Sequence, residues 1–118
     1  MTDTCASAER RLQEALASRF AAPVTAYLTD VLISSCCAVG VIHHDARPTQ
    51  RGAFPDGHRV RTSDIHSVSR EGHFWVIQTA SQSLYVVVTF HADGGKRSFI
   101  DFLKILSNGF YATPGRLQ

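Results

Sequence analysis

The stretch SLYVVVTF, residues 83–90, constrains the fold of this chain more than any other. Extended, it points Leu84, Val86, Val88 and Phe90 to one side and Tyr85, Val87 and Thr89 to the other. Both sides carry apolar groups. A strand of this kind belongs in a sheet covered on both faces, and the second cover must be a helix of the same chain, a second copy, or a partner.

With 118 residues the chain has material for one core, and residues 1–118 read as a single domain. Hydrophobic residues make up 44% and charged residues 19%, the balance of a globular protein. The formal charge of +2 comes from interspersed signs, which disfavours both a dedicated duplex binder and an acidic mimic of nucleic acid. The opening MTDTCASAERRLQEALASRF lacks the basic segment and apolar run of a secretory leader, and no stretch approaches the roughly 18 apolar residues of a membrane span. A cytoplasmic chain without membrane contact is expected. Cys5, Cys36 and Cys37, odd in number and two of them adjacent, suit reduced thiols better than a disulfide framework.

Helical spacing of Cys5, Ala8, Leu12, Ala15 and Leu16 predicts a helix over 4–20, with Thr2 or Asp3 as its cap. Val24, Tyr27, Leu28, Val31 and Leu32 repeat at i, i+3, i+4, i+7 and i+8 behind Pro23, predicting a second helix over 23–35. CCAVGVIHH then reads as a first strand or as an extension of that helix, with Val39, Val41 and Ile42 favouring the strand. DARPTQRGAFPDG, with two prolines and two glycines and no hydrophobic period, is a loop long enough to be a contact surface. Residues 58–69, 73–79 and 84–90 form a three-stranded meander. REG at 70–72 is expected to make a three-residue turn with Gly72 left-handed, pairing Val68 with Phe74, and ASQS at 80–83 to set Ile77 beside Val86. That register gathers Ile65, Trp75, Ile77, Leu84, Val86 and Val88 into the core. It leaves Phe74, Val76, Tyr85 and Val87 on the second face, bordered by His66. SFIDFLKILSNGF closes the chain as a helix with Ser98 as N-cap and Gly109 as its stop. The whole is an α+β domain: two N-terminal helices, an antiparallel sheet of three or four strands, and a C-terminal helix.

No constellation points to catalysis, a metal or a cofactor. His43, His44, His58, His66 and His73 cluster in the sequence without the paired spacing of a zinc site, and adjacent His43 and His44 on a strand face opposite ways. Cys36 and Cys37 lie in the most apolar segment, where burial raises a thiol pKa. DGG at 93–95 lacks the lysine and spacing of a phosphate loop. Arg59 and Arg61 beside Phe74 and Tyr85 suggest a platform for single-stranded bases, which keeps a small single-stranded nucleic-acid binder as an alternative.

Asp56 and Gly57 in a turn, Thr62 and Ser63 on a strand, and Thr79, Ser81, Ser83 and Tyr85 closing a hairpin make up a pattern within residues 56–88. It resembles one found in small proteins of phages and other bacterial mobile elements, among them inhibitors of the anti-CRISPR type. The pattern carries glycine between the two serines, where this chain has Gln82. The resemblance implies a non-enzymatic inhibitor that blocks a host protein complex, such as a Cas effector, by occupying its surface. Contact would be made by the second sheet face or the 44–57 loop. Tyr85, Phe74, His66, Arg47 and Arg51 are the candidate contact residues, since aromatic and arginine side chains dominate interface energetics. A homodimer that buries the second face is a further expectation.

Overall fold

The computed structural model describes residues 3–47 and 54–107. In chain order they form helix α1 (Asp3–Ala17), strands β1 (Ala26–Ser34), β2 (Cys37–His43), β3 (Arg59–Glu71), β4 (Phe74–Thr79) and β5 (Leu84–Val87), and helix α2 (Gly95–Ser107). The strands make a closed barrel in the order β1-β2-β3-β4-β5. Four antiparallel steps lead from β1 to β5, and a parallel seam pairing Ala26, Tyr27 and Leu28 with Tyr85, Val86 and Val87 closes the ring. This corrects the open sheet of three or four strands with three helices. Among the described residues there are five strands and two helices.

The helix expected over 23–35 is β1, and a bulge explains the misreading. Register slips between Thr29 and Leu32, around Asp30, whose φ is 54°. Ahead of the slip Ala26 and Leu28 face the barrel interior, and beyond it Val31 and Ile33 do. A strand whose inward positions jump from 28 to 31 imitates the three-residue step of a helix. Ser35 and Cys36, both at positive φ, then form a two-residue turn suited to the strand twist.

The β3–β4 turn is also tighter than expected. Glu71 pairs with Phe74 around Gly72 and His73, so Val68 lies opposite Ile77 and not Phe74. Gly72 is left-handed, as expected, with φ 62°. Across β4 and β5, Ile77 faces Tyr85 and Trp75 faces Val87, one residue from the expected register. Because side chains alternate, that single step exchanges the faces of β5. Tyr85 and Val87 enter the interior with Ile65, Ile77, Leu28 and Ile42, while Val86 and Val88 join Phe74 and Val76 outside.

The outer cluster is covered by the chain itself. Ala15 and Leu12 of α1, followed by Phe20 and Val24, pack on Phe74, Val76, Val86 and Val88. Arg11 fastens the helix: its guanidinium lies 4.6 Å from the Phe74 ring centre and donates to the carbonyls of Val88 (3.1 Å) and His73 (3.2 Å). The second cover of SLYVVVTF is therefore the N-terminal helix. At α2, Phe99 and Phe102 are buried in the barrel core, and Phe99 meets Trp75 and Phe90 with ring centres 5.1 Å apart in each pair. This helix starts one turn before the expected cap. Ser98 lies in its first turn, where its hydroxyl donates to the Gly95 carbonyl and accepts from the Ile33 amide. The expected cap Thr2 and stop Gly109 lie outside the described residues.

Candidate functional site

β2 ends at His43, and β3 begins at Arg59, so the long connection between them leaves and re-enters at one end of the barrel. Its two described ends are tied to each other and to the barrel. Ala46 donates to the Thr25 carbonyl, His44 donates its amide to Asp56, and Gly57 and His58 bracket Ile42 through backbone hydrogen bonds. Pro55–His58 is a turn with Gly57 at φ 91°, a value that suits glycine.

The tie that crosses the connection is Asp45. Its side chain has no exposed surface and accepts from the Arg47 amide (3.0 Å), Arg47 Nε (2.9 Å), Arg47 Nη2 (2.6 Å) and the Phe54 amide (3.0 Å). The bond to the amide two residues on is an Asx turn. The Arg47 guanidinium leads in lowering the carboxyl, against the cost of burial and with help from the two amides, so that its pKa falls to about 2. Arg47 is raised in turn, first by Asp45 and further by the nearby Tyr85 phenol.

This clamp presents a small surface. Phe54 is 43% exposed, the Arg47 guanidinium lies 5.9 Å from its ring centre, and the His58 ring lies 6.1 Å away. Beside it, Glu9, Leu12 and Gln13 of α1 face Thr29, His43, His44 and Asp56 across a cleft of about 460 Å³. His43 Nε2 lies 3.0 Å from Thr29 Oγ1, and burial, opposed by Asp56, holds the imidazole below its ordinary pKa and neutral at pH 7. His44 has φ 52°, a strained value for a residue with a side chain, and its ring reaches towards Asp56 at 4.0 Å. Among the described residues no three His, Cys, Asp or Glu side chains converge as a metal site would require. Burial, followed by a hydrogen bond to Asp64, pushes the Cys37 thiol up.

The expected contact residues are distributed otherwise than the sequence suggested. Phe74 is 3% exposed beneath α1 and Tyr85 is 4% exposed inside the barrel, so neither side chain is offered to a partner. Arg47 and Tyr85 do come together, at the clamp. His66 is exposed at the β3 bulge between Ile65 and Ser67. Arg51 lies outside the described residues. Sequence reasoning missed Asp45 and Phe54, although the spacing of Asp45 from Arg47 carries the Asx-turn signal.

The residues of the phage-like pattern have a structural use. Ser81 Oγ is 3.0 Å from Ser63 Oγ, 3.2 Å from Thr79 Oγ1 and 3.4 Å from Ser83 Oγ, while Thr62 Oγ1 accepts the Ala38 amide. This hydroxyl cluster fastens the β4–β5 turn to β3. Gln82, at the position where the pattern carries glycine, has φ 67°. No family model, curated protein or solved structure matches the chain. Among the described residues no helix is long and apolar enough to cross a membrane.

Proposed function

We propose that the protein is a non-enzymatic binding module that occupies the surface of a protein partner through the Asp45 clamp and the residues it displays. The observation that supports this reading is an exposed Phe54 held by its own amide to a fully buried carboxylate, with Arg47 alongside. An ordered aromatic and arginine pair loses little side-chain freedom on docking, and these residue types carry most interface energy. Burying the Phe54 ring in a partner's pocket is worth about 2 kcal/mol. Of the two expected surfaces, the second sheet face is occupied by α1, and the described ends of the 44–57 loop carry the proposed contact.

The class of partner implied by the resemblance is a bacterial defence complex such as a Cas effector, and it is the first to test. Tagged protein is incubated with lysate containing active CRISPR systems, with and without nuclease, beside a Phe54→Ser variant whose fold is checked by circular dichroism. Stoichiometric recovery of Cas subunits that survives nuclease and falls about tenfold or more with Phe54→Ser is expected. Equal recovery by the folded variant rules out this surface, and recovery of no Cas subunit rules out the partner.

A further inference from the structure

On the other flank of α1 a second groove, about 310 Å³, runs between the helix, the β3–β4 hairpin and the start of α2. Its charged lining is entirely basic, Arg11, Arg70 and Lys96, beside His73 and with Trp75 and Phe90 as aromatic walls. Among the described residues none of Arg11, Arg70 or Lys96 has an ion-pair partner. These cations come from α1, the hairpin and α2, three elements far apart in the chain, so no run of basic sequence announces them. A net charge of only +2 conceals a local concentration.

The groove adjoins a cleft of about 350 Å³ that shares Arg11, Thr89 and Phe90 with it and is lined further by Ser7 and Asp30. Together they form a track whose cations, Arg11, Arg70 and Lys96, line the groove, with Asp30 in the adjoining cleft. We infer that this track binds single-stranded nucleic acid by its phosphates, at Arg11, Arg70 and Lys96. Arg11 is already fixed by two carbonyls and the Phe74 ring, so its charge is in place before a ligand arrives. The Arg70 guanidinium lies 5.0 Å from the Trp75 ring centre, which offers a base the planar cationic surface on which bases stack. An acidic peptide fits less well. A peptide carboxylate makes no use of the Arg70–Trp75 face, whereas a base stacks on it. A duplex needs a broad basic face, whereas this one is confined between a helix and a hairpin. The inference is independent of the Phe54 surface, with which the groove shares no lining residue.

The test is fluorescence anisotropy of the full chain with a labelled single-stranded oligonucleotide of about twelve nucleotides, at low salt and through a salt titration. Arg70→Glu with Lys96→Glu, both at exposed positions, is compared with Arg59→Glu on the exposed start of β3. Saturable binding that weakens with salt, falls about tenfold or more in the groove variant and changes less than about twofold in the Arg59 control is expected. No binding at low salt, equal losses in both variants, or equal competition by polyglutamate or by a duplex overturns the inference. Circular dichroism of each variant separates loss of the site from loss of the fold.

Discussion

A carboxylate with no exposed surface persists as an anion only if donors replace its water, and Asp45 has four hydrogen bonds from Arg47 and Phe54. Its depressed pKa is a statement about stability. The unfolded chain binds a proton near pH 4 while the folded one resists until about pH 2, so the contribution is complete above pH 4 and disappears as pH falls between those values. A shift of this size corresponds to about 2 kcal/mol. Asp45→Asn, which keeps the shape and removes the charge, is expected to destabilise the protein by that order at pH 7. The wild-type advantage should vanish by about pH 2, as read by urea denaturation across pH. An equal difference at both pH values would locate the effect in packing instead. Little of this residue's role was legible beforehand. The Asx spacing to Arg47 is local, but the bond to Phe54 joins positions separated by a stretch with no hydrophobic period, and only the closed barrel brings them together. Tyr85 and Phe74 were recognisable as members of a two-sided sheet. The face of Tyr85 turns on a register that differs by one residue between a contact surface and a core, whereas Phe74 keeps the expected face and is buried because α1 covers it.

At the level of the elements, the meander is legible in the sequence and its closure into a barrel is not. β2, β3, β4 and β5 lie close to where alternation and β-branched residues put them, and α1 and α2 follow from their apolar spacing. β1 was hidden because a bulge at Asp30 replaced period two with an apparent helical step. The start of α2 was hidden for another reason. Gly95 is buried, and a Cβ there would collide with the Val31 carbonyl oxygen and come within 3.0 Å of the His91 Cβ. Intrinsic propensity favours alanine over glycine in a helix by about 1 kcal/mol, so the two effects oppose each other. The contact is with backbone and cannot be relieved by a rotamer change. Gly95→Ala is therefore expected to lose about 1–3 kcal/mol net, measured by denaturant unfolding. A gain would mean that the helix start moves easily away from β1.

Taken whole, the molecule is a ring of local hairpins closed by one distant pairing. β1 through β5 are joined to their chain neighbours, while the seam between β1 and β5 links residues about sixty positions apart and has three paired positions. Topology of this kind predicts folding in milliseconds to seconds, with the hairpins first and the seam last. Leu28→Ala, at the seam, should mainly accelerate unfolding, with a φ-value below about 0.3 in stopped-flow chevrons. A value near 1 would make the seam the nucleus. The same ring has a consequence for synthesis. Leu84–Val88, without charge, proline or glycine, is the sort of segment that assembles into cross-strand aggregates when left bare. It leaves the ribosome after α1, β1 and β4, the elements that flank and cover it. The most adhesive piece of the chain thus emerges with its own neighbours already made, and its order in the gene shields it from other molecules.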